Sequence, residues 1–253
     1  RALAADRSLL VVWENEAGGV TFSVGDEAEG GAPELYVKWA PAGSEHDFAG
    51  EAARLTWAAP YTVVPEVLEL GRDAGCSWLV TRALAGKSTV DPYWRGRPEL
   101  TVRAIGEGLR AWHHALPVDA CPFSWDAATR LAAAFRRAAT GRQDASAWHR
   151  EHSQLSVEEA LERASMPPPV DRLVVCHGDT CPPNTLLDES GRCCGHVDVG
   201  RLGVADRWAD LAIATWSCEW NWGPGWGATL LEAYGVPADP ERMAYYRLLW
   251  DLA

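Results

Sequence analysis

The sequence lacks the features that mark membrane and secreted proteins. Its 253 residues contain no apolar run close to the roughly 20 residues that a transmembrane helix needs. No basic stretch followed by an apolar one marks a secretory signal. The seven cysteines are an odd number and show no framework of paired disulfides. We therefore expect a cytoplasmic protein with reduced thiols and no membrane partner.

Positive charge is also scarce. Lys and Arg number 23 against 35 Asp and Glu, which gives a formal charge of −12. Such a surface is a poor partner for nucleic acid, because phosphate contacts depend on Lys and Arg. An acidic cleft instead raises the local concentration of a cationic ligand. The charge balance argues against nucleic acid and favours a positively charged small molecule, although an acidic surface also serves solubility alone.

The pattern of apolar residues divides the chain into two parts. Residues 1–82 are rich in β-branched and aromatic runs separated by Gly-, Pro- and Asp-rich turns, whereas helical periodicity dominates from residue 83 onward. In the first part we predict strands over 9–13, 20–24, 34–39, 64–70 and 76–82 and a helix over 44–59. In the second part we predict helices over 99–115, 126–139, 156–164, 206–219, 226–234 and 240–250 and strands over 172–176, 185–188 and 194–198.

One segment of the second part carries the most informative side chains. The sequence HGDTCPPN (177–184) contains Asp179 and Asn184, and a predicted β-hairpin then leads to Asp198. Each residue alone suits an ordinary turn. Together, and in this order, they match the needs of phosphoryl transfer from Mg-ATP. Asp179 would orient and deprotonate the attacking hydroxyl, while Asn184 and Asp198 would bind the magnesium ions that neutralise the phosphates.

The first part offers a matching phosphate site. Lys38 lies inside an apolar strand, where its ammonium group needs an anionic partner, and Glu51 on the following helix is the expected one. The turn that contains Ala17, Gly18 and Gly19 could present backbone N–H groups to the phosphates. It matches neither a Walker loop nor a G-x-G-x-x-G motif, so a plain hairpin turn is an equal alternative. An edge-strand lysine pointing to water is the alternative for Lys38.

A zinc site is the main chemical alternative in the catalytic segment. The spacing opposes it, since neighbouring cysteines in a strand point to opposite faces and no C-x-x-C pair occurs. The soft ligands that such a site would use are Cys176, His177, Cys181, Cys193, Cys194 and His196.

Four segments together resemble the bacterial aminoglycoside phosphotransferases. They are HGDTCPPN, VDVGRLGVADRWADLA, WHHALPVDACPF and ERMAYYRLL, and the similarity extends over nearly the whole chain. The resemblance implies an α+β, bilobal protein-kinase-like fold with a nucleotide-binding lobe over 1–82 and a catalytic lobe over 83–253. It also implies ATP and Mg²⁺ as cofactors and backbone contacts to adenine at Thr81 and Ala83. An ATP-dependent kinase that confers antibiotic resistance is the expected activity.

Two differences from the kanamycin and neomycin 3′-kinases bear on the substrate. Their Asp-Glu-Phe-Phe-like tail is not found among these residues, and Asp251 is the carboxylate near the last residue given. The segment CEWNWG (218–223) instead resembles the streptomycin 3″-kinases. The guanidinium groups of streptomycin suit contacts with carboxylates and aromatic rings. We therefore predict streptomycin as substrate, with contacts from Glu219, Trp220, Asn221, Trp222 and Asp251.

Several alternatives stay open at this point. A 3′-kinase of kanamycin or neomycin would share every catalytic residue, and a kinase of another small molecule would share most of them. A non-catalytic zinc or nucleotide-sensing module is the alternative from a different class. We expect a monomer that has a cationic antibiotic as its partner.

Overall fold

The computed structural model describes residues 8–14, 18–25 and 31–252. These residues form two compact units. Unit 1 comprises the described residues up to Ala85 together with Gly195–Gly200, and unit 2 comprises Gly86–Cys194 and the described residues from Arg201 onward. The lobe boundary predicted at residue 82 lies close to this division, but the prediction did not include the return of Gly195–Gly200 to the first unit. No helix among these described residues is both long and apolar enough to cross a membrane.

Unit 1 is built on an antiparallel sheet with the strand order β1-β2-β3-β5-β4. The strands are β1 (Ser8–Glu14), β2 (Val20–Gly25), β3 (Pro33–Pro41), β4 (Val67–Arg72) and β5 (Cys76–Arg82). The central strand β3 pairs with β2 and β5, and its register places Lys38 opposite Thr21 and Leu79. Val24, Leu35 and Val80 form the apolar core on this sheet.

Helix α1 (Phe48–Ala58) packs on β4 and β5 of the same unit. It begins four residues later than the predicted start at 44, because the Asp47 side chain accepts a hydrogen bond from the Gly50 N–H and so caps the helix there. Phe48, Ala52 and Leu55 are buried along one face. Glu51, one turn into the helix, is buried with them, which is the feature that matters for the site.

Unit 2 is mainly helical. Its helices are α2 (Pro92–Arg95), α3 (Pro98–Ala115), α4 (Ala127–Ala139), α5 (Val157–Ala164), α6 (Trp208–Trp222), α7 (Trp226–Tyr234) and α8 (Pro240–Asp251). Helix α3 packs on α7, and α6 packs on both α7 and α8. Gly106 on α3 permits the close approach to α7, because a Cβ there would lie 2.5 Å from the Leu230 carbonyl oxygen.

Short strands in the second part of the chain carry the loops of the site. They are β6 (Lys87–Ser88), β7 (Leu173–Cys176), β8 (Thr185–Leu187), β9 (Cys193–His196) and β10 (Gly203–Asp206). Strand β10 pairs antiparallel with β7, and β6 pairs antiparallel with β8. The sequence predicted β7, β8 and β9 to within two residues at each end. It missed β6, β10 and α2, whose lengths of two and four residues are too short for a periodic signal.

Candidate active site

Lys38 bridges two carboxylates within unit 1. Its Nζ lies 2.6 Å from Glu51 Oε1 and 2.8 Å from Asp198 Oδ1. Strand β3 directs Lys38 toward α1, which supplies Glu51, while the Gly195–Gly200 segment brings in Asp198 from far along the chain. The sequence predicted the partnership with Glu51. The contact with Asp198 had no local signal, since 160 positions separate the two residues.

The electrostatics of this group follow from its burial. Burial alone would lower the pKa of Lys38, but the carboxylates of Asp198 and Glu51 outweigh it and raise that pKa above its ordinary value, so the ammonium stays charged. Burial raises the pKa of Glu51 in spite of the opposing Lys38 charge. The site thus holds a fixed cation beside an acid whose proton affinity is increased.

Asp198 adopts a backbone conformation that non-glycine residues seldom use. Its φ is +63°, in the left-handed region where Asp and Asn are the best tolerated non-glycine residues. Gly200 follows with its backbone close to the Glu51 side chain, since a Cβ there would lie 3.8 Å from Glu51 Cβ. Backbone strain of this kind is often found at functional sites. It is consistent with the metal-binding role predicted for Asp198.

Asp179 lies in a tightly held loop of unit 2. Its backbone N–H donates to His177 Nδ1 at 3.2 Å, and its Oδ1 is buried with no hydrogen-bond donor among the described residues. Gly178 has φ +86°, and a Cβ there would lie 2.3 Å from the Arg201 carbonyl oxygen. Only glycine fits this position, so the HGD sequence reflects close packing as well as chemistry. A buried acceptor without a donor is what a general base for a substrate hydroxyl requires.

Asp210 at the start of α6 anchors this loop. Its carboxylate accepts hydrogen bonds from the His177 N–H at 2.7 Å, the Gly178 N–H at 2.9 Å and His113 Nε2 at 3.0 Å. Thr180 Oγ1 donates to the Asp210 carbonyl at 2.8 Å. Burial would raise the pKa of Asp210, but the His113 hydrogen bond and charge and the loop N–H groups outweigh it and hold that pKa below its usual range.

These contacts tie Asp210 directly to the backbone beside Asp179. His113, whose Nδ1 lies 2.8 Å from the Tyr234 hydroxyl, was not identified from the sequence at all. Among the described residues, the group of potential metal ligands with clustered donor atoms is His113, Cys176 and Asp210. Burial raises the pKa of Cys176 well above its ordinary value, so its thiol stays protonated and the group acts as a hydrogen-bonded anchor.

Asn184 ends a short 3₁₀ turn, Pro182–Asn184, after the catalytic loop. Its Nδ2 donates to the Asp179 carbonyl at 3.0 Å, which leaves its Oδ1 as the atom available to a metal. The turn is held by the side chain of Thr89, which donates to Pro182 O, and by Ser88 Oγ, which donates to Pro183 O at 3.0 Å. Amide and carboxylate oxygens are the hard ligands that magnesium prefers, so Asn184 and Asp198 are chemically suited to it.

The predicted nucleotide contacts are only partly described. Ala17 lies outside the described residues, whereas Gly18 is exposed with φ +77° and Gly19 is buried directly before β2. Thr81 lies in β5, paired with Tyr36 and Val67. The Ala83 N–H donates to the Glu34 carbonyl at 2.9 Å, so this N–H is already engaged within unit 1.

The predicted substrate residues differ in their surroundings. Trp220 on α6 is 47% exposed, but Trp222 Nε1 donates to the Arg95 carbonyl at 3.0 Å. Asn221 Nδ2 donates back to the Ser217 carbonyl at 2.8 Å, and Glu219 is half-buried. Asp251 does not point freely into solvent. Its Oδ2 accepts hydrogen bonds from His152 Nδ1 at 2.6 Å and from the His149 N–H at 3.1 Å.

The fold and these two groups of residues define the class of protein. A β-rich unit with a lysine–glutamate pair, and a helical unit with a buried aspartate followed by a metal-suited asparagine, are the parts of a kinase-type phosphotransferase. The family model described as "Phosphotransferase enzyme family" matches residues 15–246. The chain therefore belongs to that family, and the predicted fold class and enzyme class are confirmed with it.

Individual relatives agree with the family. The chain is 40% identical to the aminoglycoside 3′-phosphotransferase of Streptomyces fradiae, over 86% of this chain and 85% of the relative. It is 32% identical to the streptomycin 3″-kinase of Streptomyces griseus, over 94% of this chain and 89% of the relative. The crystal structure of an aminoglycoside-3′-phosphotransferase of type VIII superposes with a TM-score of 0.86 at 34% identity, covering 100% of this chain and 96% of that one. The predicted resemblance to aminoglycoside phosphotransferases is confirmed.

Proposed function

We propose that this enzyme transfers the γ-phosphoryl group of ATP to the 3′-hydroxyl of an aminoglycoside of the kanamycin or neomycin type. The observation that carries the proposed reaction is Asp179 Oδ1, a buried acceptor that lacks a donor among the described residues. A substrate hydroxyl would supply that donor. Its proton would pass to Asp179 as the hydroxyl oxygen attacks the γ-phosphorus of ATP. The leaving group is ADP.

The remaining residues have distinct roles in this proposal. Lys38 binds the phosphates, with Glu51 holding its ammonium in place. Asn184 Oδ1 and the Asp198 carboxylate would hold magnesium, which when bound neutralises phosphate charge. Asp210 keeps the Asp179 loop in one conformation through its contacts to His177 and Gly178. The positions of Gly18 and Gly19 before β2 suit backbone contacts to the nucleotide, and the backbone of Ala83 stays the predicted contact to its base.

The choice of the 3′-hydroxyl is supported by similarity to relatives of that name. Identity is 40% with the S. fradiae 3′-phosphotransferase and 32% with the S. griseus streptomycin 3″-kinase. Streptomycin remains the second candidate. The observation in its favour is the CEWNWG segment, where Trp220 is 47% exposed and could stack on a guanidinium group.

A coupled ADP-release assay with kanamycin, neomycin and streptomycin at equal concentration tests the proposal. We expect turnover on kanamycin or neomycin that requires Mg²⁺, with the phosphate located on the 3′-oxygen by ³¹P–¹H correlation. Asp179→Asn should lower kcat by at least about a hundredfold, because the base is lost. Turnover on streptomycin alone would support the second candidate. Near-normal turnover by Asp179→Asn would contradict the role of that residue.

A further inference from the structure

The C-terminal end of α8 is tied to a loop of unit 2 through a single carboxylate oxygen. Asp251 Oδ2 accepts the hydrogen bonds of His152 Nδ1 at 2.6 Å and the His149 N–H at 3.1 Å. The Asp251 backbone takes part as well, since its carbonyl accepts from Gln143 Nε2 at 3.3 Å. The side chains of His152 and Asp251 are 8% and 9% exposed, so their contact is shielded from solvent. The loop between α4 and α5 therefore has a defined position relative to α8.

The tied loop holds the His149 ring against two tryptophans of α6. The ring centroid of His149 lies 4.2 Å from that of Trp216, edge to face, and 5.9 Å from that of Trp220. Trp216 and Trp220 are 5.1 Å apart, as expected for neighbours one helical turn apart. We call His149, Trp216 and Trp220 the aromatic cluster.

The aromatic cluster already binds one cation of the protein. The Arg247 guanidinium lies 5.3 Å from the Trp216 ring centroid, and its Nη1 lies 3.8 Å from Glu151 Oε2. Trp216 is only 2% exposed, so its ring is not accessible to a ligand, whereas Trp220 is 47% exposed. Burial lowers the pKa of His149, so its ring is neutral at pH 7 and does not repel a cation. Within the cluster the exposed surface belongs mainly to Trp220, and His149 is partly exposed.

The cluster lies next to the part of α6 that contacts the catalytic loop. Helix α6 packs against the Pro182–Asn184 turn, and the Asp210 carbonyl on the same helix accepts a hydrogen bond from Thr180 Oγ1, next to Asp179, at 2.8 Å. On α8, Trp250 precedes Asp251, and the Arg201 guanidinium lies 4.8 Å from its ring centroid. Arg201 in turn packs its backbone against Gly178. Both elements that carry the cluster and its tie thus reach the loop of Asp179 within unit 2.

We infer that Asp251 and His152 form a latch that positions the His149 ring on Trp216 and Trp220, and that the exposed faces of this cluster contact an ammonium- or guanidinium-bearing substrate. The inference rests on the proposed function. It differs from the role predicted for Asp251 from the sequence, because Asp251 here is a positioning residue for His149 and not a direct ligand of the substrate. Trp220 and His149 are the contact residues.

The latch requires from Asp251 only an oxygen that accepts hydrogen bonds. One oxygen accepts both bonds, and an asparagine also has such an oxygen, so Asp251→Asn should keep the affinity for the aminoglycoside that Asp251→Ala loses. A carboxylate that bound a substrate cation directly would need its charge, and the two variants would then be equally impaired. Steady-state kinetics with the preferred aminoglycoside and with ATP distinguish these cases. Matched controls are Glu241→Ala, an exposed acid on the same helix, and His114→Ala, an exposed histidine.

We expect Asp251→Ala, His152→Ala and Trp220→Ala each to raise KM for the aminoglycoside about five- to tenfold, as for the loss of a cation–π contact. The KM for ATP and kcat should stay within about twofold, and Trp220→Phe should retain most of the affinity. The double variant Asp251→Ala/His152→Ala should be no worse than either single one, since both break the same latch.

Two kinds of result would overturn the inference. Equal impairment of Asp251→Asn and Asp251→Ala, with His152→Ala near normal, would make Asp251 a direct substrate ligand. Turnover by the wild type with an unchanged aminoglycoside KM in Asp251→Ala, His152→Ala and Trp220→Ala would refute the latch and the cluster together while leaving the proposed function intact. A wild type that turns over no aminoglycoside would refute the proposed function itself, and the inference with it.

Discussion

Replacing Asp210 by alanine should destabilise unit 2 far more than an ordinary carboxylate deletion. The change removes the acceptor of three hydrogen bonds, from the backbone N–H groups of His177 and Gly178 and from His113. Each buried donor left without a partner costs about 1–3 kcal/mol, and breaking a buried charged network costs about 3–5 kcal/mol in measured cases. We expect a loss of about 3–5 kcal/mol and a urea midpoint lower by more than about 1 M.

Urea unfolding followed by tryptophan fluorescence measures this loss, and Asp126→Ala is its matched control. Asp126 caps α4 through the Thr129 N–H at 2.7 Å, so its loss should cost only about 1 kcal/mol. The pH dependence gives a second test. Because the folded pKa of Asp210 is depressed, its contribution is fully present above the unfolded value of about 3.9 and is lost as pH falls through the folded pKa.

The stability gap between wild type and Asp210→Ala should therefore be constant from pH 7 to about 5 and narrow at lower pH. An Asp210→Ala midpoint no lower than that of Asp126→Ala would refute the reasoning. A gap that stayed the same down to about pH 2 would show that the charge of Asp210 is not what stabilises the loop.

Three further outcomes follow from the site. Lys38→Met should lower kcat/KM for ATP by at least about a hundredfold, because the phosphate cation is lost, while circular dichroism shows an intact fold. Gly178→Ala should lower the melting temperature by several degrees, because the residue has a positive φ and the added Cβ would lie 2.3 Å from the Arg201 carbonyl oxygen. The control is Gly141→Ala, where φ is +67° and the space is open. It introduces the backbone strain without the clash and should lower the melting temperature less. Asp198→Asn should fold normally, because asparagine tolerates φ +63°, but should raise the Mg²⁺ concentration for half-maximal activity more than about tenfold. Unchanged Mg²⁺ dependence in that variant would exclude Asp198 as a ligand.

The fold class could be predicted because its signals are local. Periodicity over ten or more residues located α3, α4 and α8 to within a residue or so at each end, and β-branched runs located the strands of unit 1. Asp179 and Asn184 could be proposed as site residues from the sequence because the chemistry of phosphoryl transfer constrains both their type and their order, and their roles stay a prediction.

The rest depends on contacts that spacing does not reveal. The tie between Asp210 and the loop of Asp179 joins residues 33 positions apart, and the contact between Lys38 and Asp198 spans 160. The sequence does not distinguish the surroundings of Trp216 from those of Trp222. In the structure Trp216 is buried beneath Arg247, and Trp222 donates its N–H to the Arg95 carbonyl. Asp251 was predicted as a substrate carboxylate because it lies near the end of the chain, where the kanamycin and neomycin 3′-kinases carry their acidic tail. In the structure its partners are His149 and His152.

The membership of Gly195–Gly200 in unit 1 has a consequence for biosynthesis. Neither unit is a continuous piece of chain, because the polypeptide leaves unit 1 after Ala85 and returns for six residues before finishing unit 2. On the ribosome, domains generally fold as their sequence emerges, beginning with the N-terminal one. Here Lys38 and Glu51 are made early but wait for Asp198, so their charge cluster is completed only after more than a hundred later residues have been translated. An N-terminal fragment ending near Ala85 would lack that carboxylate, and two separately expressed halves would not correspond to the two units.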